Sequence, residues 1–239
     1  MFQPTSTYHI YNRANGHENL FREEKNYYYF LEKYYNYIFP VADTMAWCLL
    51  ANHFHAMIRI RKEAALNSLE TFQDFKRKTS QKFQGFEIKT SQKFGAFEKL
   101  NNIDETIISK FISRQFGSLF SCYAQSYNKV YGRTGSLFQP NVKKKLVNSD
   151  AYFTQLILYI HNNPVKHGFV KNLYDWPYSS LHIYSDHLSK LLEGLQQSKD
   201  PMLLEKMTST KQEVLDWFGG YERFKKAHMN MVDIKSLFD

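Results

Sequence analysis

Two short patterns in this 239-residue sequence combine residue types able to do metal-assisted chemistry. The first is His53-Phe54-His55. On a β-strand, residues two apart project from the same face, so both imidazoles would stand together while Phe54 points to a core on the other side. Neutral imidazole is a good ligand for divalent metals, and two on one face can share an ion. The pattern fits equally two polar residues on an exposed strand face. The second pattern is Tyr159-Ile160-His161-Asn162-Asn163-Pro164. At helical spacing Tyr159 and Asn163 lie one turn apart on one face. Tyr159 would offer a phenolic oxygen, and Asn163 a carbonyl oxygen able to ligate a metal. A phenol with its ordinary pKa near 10 is a weak nucleophile, a demand that a metal-polarised phosphodiester lowers. The alternative is a core aromatic, one of 17 tyrosines, followed by a helix stop. His161 is expected to face away from Tyr159 and is given no role.

These residues need elements to hold them. Residues 7–14 (TYHIYNRA) mix β-branched, aromatic and polar residues and read as a first strand, followed by the turn signal Asn15-Gly16. Aromatics at helical spacing run from Glu23 to about Ile38, and Pro40 closes that helix. Residues 44–51 and 53–61 read as two strands joined tightly at Asn52, a hairpin. Asp104 is the expected N-cap of a long helix reaching about Val130, with a stripe of Ile107, Ile108, Phe111, Ile112, Phe116, Leu119, Phe120 and Tyr123. Residues 131–140 (YGRTGSLFQP) form a Gly-rich basic turn. Residues 141–147 read as a fourth strand with alternating lysines. Ser149 or Asp150 caps a helix that Pro164 stops after Asn163. The order β-α-β-β-α-β-α predicts an α+β fold: a ferredoxin-like (split βαβ) antiparallel sheet with helices on one face and an added helix carrying Tyr159.

Two stretches stand outside that scheme. KTSQKF occurs at 78–83 and again at 89–94, an 11-residue period. The 63–100 stretch reads as an inserted, mobile, basic excursion, although an 11-residue period also suits a helix face. The expected organisation is a domain over 1–185 containing this insertion, then a small helical C-terminal extension over 186–239. Trp176 and Trp217 are expected to be packing anchors.

Composition bounds the function. There are 31 Lys+Arg against 23 Asp+Glu, a net charge of +8, which makes a polyanion the leading partner class. Two cysteines, Cys48 and Cys122, exclude a disulfide framework and a Cys-rich zinc site; both are expected as free core thiols in a reducing compartment. No apolar run is long enough for a membrane span, and the start lacks a signal peptide's basic and apolar regions. A cytoplasmic protein is expected. Candidate phosphate contacts are Arg13 at the first strand, Arg133 in the Gly-rich turn, Lys143 and Lys145 on the fourth strand, and Lys166 after the Tyr159 helix. Exposed Tyr and Phe could stack on unpaired bases.

Taken together, YHIYNRANG (8–16), the 43–60 block, GSLFQ (135–139), YIHNNPVKHGFV (159–170) and DWPYSS (175–180) resemble the single-tyrosine HUH transposases, in particular the REP-associated tyrosine transposases and their insertion-sequence relatives. The resemblance covers about residues 5–185, apart from 63–100. It implies His53 and His55 as ligands of Mg²⁺ or Mn²⁺, Asn163 as the third ligand and Tyr159 as the nucleophile. It implies cleavage and rejoining of single-stranded DNA near hairpins through a 5′-phosphotyrosine, by a monomer or homodimer that is nucleoid-associated when bound. The competing expectation is a module that binds hairpin DNA or RNA without cutting, as sheet-based RNA binders do.

Overall fold

Strand alternation decides what each face of the sheet carries. In the computed structural model, β1 (Thr7–Arg13), β2 (Ala42–Leu50), β3 (His53–Ile60) and β4 (Lys143–Val147) form one sheet in the order β2-β3-β1-β4. Every neighbouring pair is antiparallel, so β1 and β2 run parallel with β3 between them. The structure describes residues 1–87, 98–185, 191, 193, 195, 200 and 202–230, with backbone alone for 80–87 and 98–104. The α+β fold with an antiparallel sheet that the sequence predicts is the fold observed.

Register places Tyr11 opposite His55 on one side and Lys143 on the other, and Arg13 opposite His53. With the two-residue repeat of a strand, one face therefore carries His9, Tyr11, Arg13, His53, His55, Lys143 and Lys145. The other face carries Tyr8, Ile10 and Phe54. Helices α1 (Glu24–Ile38) and α4 (Glu98–Val130) cover that apolar face. Phe30 and Phe120 pack their rings 5.3 and 6.0 Å from Phe54. Tyr27, Phe30, Leu31, Tyr34, Tyr35 and Ile38 of α1 are all buried, the spacing of a helix with one core-facing stripe. Asn26 accepts from the Glu23 backbone N–H at 3.0 Å and so ties down the start of α1.

Three stretches differ from the sequence expectation. Helix α4 begins at Glu98, so Asp104 lies inside it and is no N-cap. Stretch 63–100 is helical at its start: α2 (Glu63–Asn67) and α3 (Glu70–Glu87) follow β3 directly. Phe72 is buried and packs 4.9 Å from Phe111, with Phe75 5.4 Å from the same ring. Phe72 and Phe75, three residues apart, thus share one face of α3. The second KTSQKF copy, at 89–94, lies outside the described residues. Helix α5 (Asp150–Lys166) runs through Pro164 rather than stopping before it. Its last turn survives because a proline removes only one amide donor, while the His167 N–H still bonds Asn163 O at 3.0 Å.

Helix α5 lies on the histidine face, over β2 and β3. The segment after it returns along the free edge of β2. Leu49 N–H donates to Tyr178 O and Ser180 N–H to Trp47 O, both at 2.9 Å, which covers an otherwise unpaired edge. Trp176 is an anchor, donating from Nε1 to Leu49 O at 2.9 Å. Helices α6 (Leu181–Tyr184), α7 (Leu203–Thr208), α8 (Lys211–Trp217) and α9 (Tyr221–Met229) follow. They are built into the sheet and α5: Thr210 Oγ1 donates to Thr44 O at 2.6 Å, Glu213 pairs with Arg59, and Trp217 stacks on Phe153 at 4.5 Å. Cys48 is a buried free thiol, raised in pKa by burial, whereas Cys122 is only half-buried. No helix among the described residues is long and apolar enough to cross a membrane.

Candidate active site at the paired histidines

The sheet brings the predicted strand residues together by register alone. A cleft of about 490 Å³ opens over this face, lined by Tyr11, Asn12, Arg13, His53, His55 and Lys143 among others, with His167 and Phe169 at its α5 side. The rings of His53 and His55 lie 5.2 Å apart, nearly perpendicular. His53 Nδ1 sits 2.7 Å from Asn52 Oδ1. An amide oxygen only accepts, so this network assigns the proton to Nδ1 and leaves the Nε2 lone pair of His53 unused. His55 Nδ1 sits 2.9 Å from His9 Nε2. Both ligand candidates thus spend Nδ1 on the protein.

Burial and positive neighbours keep these imidazoles neutral. The pKa of His53 is lowered to about 4, mainly by desolvation and then by His167 and Arg13. His55 is pushed well below its ordinary value by burial and by His9, His53, His167 and Lys166. His9 falls to about 4 through burial and Lys145. Neutral imidazole is the form that binds metal.

Tyr159 stands over His55 and His9. Its ring meets His55 edge-on at 5.6 Å and His9 at 6.0 Å. Lys166 Nζ lies 5.1 Å from its centroid, one positive charge beside the phenol. Asn163 is fully buried and outside the cleft lining. Its Nδ2 donates to Tyr159 O at 2.9 Å, while its Oδ1 has no hydrogen-bond partner. A buried acceptor without a partner is rare. Among the described residues, no three His, Cys, Asp or Glu side chains converge as a metal-binding group. The neutral imidazoles of His53 and His55 are thus donors of a kind that suits a divalent ion, and the unpartnered Asn163 Oδ1 is a further oxygen donor, buried outside the cleft lining.

The basic residues separate. Arg13 and Lys143 line the cleft. Lys145 lies with its Nζ 5.2 Å from the Tyr152 ring on the same face. Arg133 is instead matched within the protein, donating from Nε to Glu18 at 2.9 Å and from Nη1 to Asn128 at 2.8 Å, and does not line the cleft. Sequence reasoning passed over His9 and Phe169. His9 was legible as the residue two before Tyr11 in the alternation of β1. Phe169 had no signal, because its place follows from the turn at Gly168, where φ is +72°.

The chain is thus an α+β protein whose antiparallel sheet carries neutral histidines beneath a helix-borne tyrosine. The comparisons narrow this further. No family model matches the chain. A REP-associated tyrosine transposase assigned to Haemophilus influenzae is 36% identical over 61 residues, 26% of this chain and 35% of that one. The REP-associated tyrosine transposase of Escherichia coli is 36% identical over 47 residues, 20% of this chain and 28% of that one. The matched segments thus span about a third of the length of these relatives. A solved REP-associated tyrosine transposase bound to a REP hairpin aligns with a TM-score of 0.44 at 15% identity, over 84% of this chain and 89% of that one. The resemblance read from the motifs is matched by these relatives: the chain is similar to REP-associated tyrosine transposases.

Proposed function

We propose that the protein cleaves and rejoins single-stranded DNA beside a hairpin, with Tyr159 as nucleophile and a divalent ion, Mg²⁺ or Mn²⁺, held by His53, His55 and Asn163. The observation that carries this reading is the juxtaposition of Tyr159 with His55, whose Nδ1 is engaged and whose pKa is lowered, beside His53 in the same state. The ion, when bound, would act as a Lewis acid on the scissile phosphate. The chain's own residues do the rest. Arg13 and Lys143 draw the backbone into the cleft. Lys166 holds positive charge where the phosphate meets the phenol. The Tyr159 oxygen forms a bond to phosphorus and loses its proton to solvent. The bond to the 3′-oxygen breaks, and that oxygen takes up a proton. The product is a 5′-phosphotyrosine and a free 3′-hydroxyl, and attack by a 3′-hydroxyl reverses the step without ATP.

The test is incubation with hairpin oligonucleotides bearing single-stranded flanks, drawn from the DNA around the protein's own gene, with Mn²⁺ or EDTA, resolved on a denaturing gel. Imidazole favours transition metals, so Mn²⁺ is the stronger probe. A covalent adduct in Mn²⁺ and none in EDTA is the expected result. A retarded native complex with no adduct across these hairpins would move the protein to the binding-module reading.

The cleft also calls for stacking. Phe169 is 41% exposed and Tyr11 37% exposed at a rim with Arg13 and Lys143. Phe169→Ala is expected to weaken binding of a flanked hairpin by about 1–3 kcal/mol. Binding of a blunt hairpin should not change. Fluorescence anisotropy in EDTA reads both; an equal loss on the two substrates would place Phe169 away from unpaired bases.

A further inference from the structure

We infer that His9 is a positioning residue that fixes the tautomer of His55, accepting a hydrogen bond from its Nδ1–H so that His55 Nε2 keeps its lone pair for the metal. This rests on the metal-site reading above.

The hydrogen bond between His9 Nε2 and His55 Nδ1, at 2.9 Å, can run either way between two neutral rings. If His9 donated, His55 would carry its proton on Nε2 and could ligate nothing through it. If His9 accepts, Nε2 of His55 stays unprotonated. Two observations favour the second direction, and a third holds the acceptor in place. His53 shows the same arrangement, with its Nδ1 placed against an amide oxygen that accepts. The surroundings of His55 carry positive charge from Lys166, beside a cleft lined by Arg13 and Lys143; a lone pair is favoured there over an N–H. His9 is itself held in place, 6% exposed, with its ring 4.9 Å from Tyr11 and 5.1 Å from His55. A ligand histidine commonly gives its second N–H to a carboxylate or carbonyl, and losing that partner costs roughly 10–100-fold in metal affinity. Here a neutral imidazole takes the carboxylate's place and adds no negative charge to a site that must receive a phosphate.

Two measurements test this. The first uses the wild-type protein without metal: ¹⁵N–¹H correlation of the histidine rings, with His55 assigned by substitution. The expected result is His55 as the Nδ1–H tautomer and His9 with an unprotonated Nε2. The opposite tautomer for His55 would overturn the proposal without touching the metal-site reading. The second measurement is calorimetric titration with Mn²⁺ in the absence of DNA, on wild type, His9→Phe, His9→Gln and His53→Ala. His9→Phe keeps the ring and removes the acceptor, so its affinity should fall roughly 10–100-fold, whereas His9→Gln, whose amide oxygen can accept, should recover most of it. The cleavage defect of His9→Phe should then lie in the half-saturating Mn²⁺ concentration rather than in the rate at saturating metal. Wild-type affinity in both His9 variants, with loss in His53→Ala, would reduce His9 to packing. Equal behaviour of wild type and His53→Ala would remove the metal site itself, and this proposal with it.

Discussion

Tyr159→Phe is expected to abolish the covalent protein–DNA adduct, lowering its rate of formation by about 10³-fold or more, while hairpin binding in EDTA is retained. The substitution is close to a pure test of the oxygen. A phenylalanine ring keeps the edge-on contacts to His55 and His9 at 5.6 and 6.0 Å, and the contact with Lys166 at 5.1 Å. The cation–ring attraction survives without the hydroxyl. What disappears is the one atom proposed to bond to phosphorus. A loss this large follows because a nucleophile acts only in the bond-forming step, so its removal is not compensated by binding. Adduct formation is read on a denaturing gel with labelled DNA, and affinity by anisotropy on the same preparations. An undiminished adduct in the variant would reassign the nucleophile. Peptide mapping would then look first to Tyr11 and Tyr152, the other tyrosines of this face. Loss of hairpin binding together with the adduct would instead make Tyr159 a DNA contact.

Much of this site could be read before any coordinates, and the reason is periodicity. The two-residue repeat of a strand put His53 and His55 on one face and Phe54 on the other, and the sheet does so. The alternating lysines of β4 divide in the same way: Lys143 joins the cleft lining, while Lys144 lies over Phe2, 4.4 Å from its ring. What periodicity does not carry is the register between strands. His9 meets His55 on the diagonal because Tyr11 pairs with His55, and nothing within either strand specifies that offset. Charge was a poorer guide than alternation. Arg133 sits in a Gly-rich turn like a phosphate-binding residue, yet Glu18, more than a hundred positions earlier, takes its charge. Pro164 misled for a local reason, since a helix stop and a proline in the last turn look alike until the following amide is seen to bond.

His161, without a role on motif grounds, belongs to the polar chain that fixes the tyrosine helix, and its partner His228 carries the largest stability effect expected here. His228 Nδ1 lies 2.8 Å from Phe224 O, which can only accept. That assigns the proton to Nδ1 and leaves Nε2 to accept from His161 Nδ1–H at 2.9 Å; His161 Nε2 then accepts from Ser180 Oγ–H at 2.8 Å. One directed chain therefore ties α9 to α5 and α5 to the strand covering the β2 edge, with all three residues buried. His228→Leu strands the His161 N–H in an apolar setting and should cost about 2–4 kcal/mol at pH 7, a fall in Tm of roughly 5–15 °C for a chain of this size. The effect should shrink in acid. Burial lowers the His228 pKa from 6.5 to about 4. Its neutral form is thus favoured on folding, and the stability it confers is intact above pH 6.5. As pH falls from 6.5 towards 4 the unfolded chain takes up the proton first, and ~3 kcal/mol is lost from this group alone. The leucine variant has no such proton to take up, so the melting curves of wild type and variant should converge between pH 7 and pH 4.5. A constant Tm difference across that range would mean that His228 is not held neutral by the fold, and that α5 is anchored by apolar packing such as Phe153 on Trp217 instead.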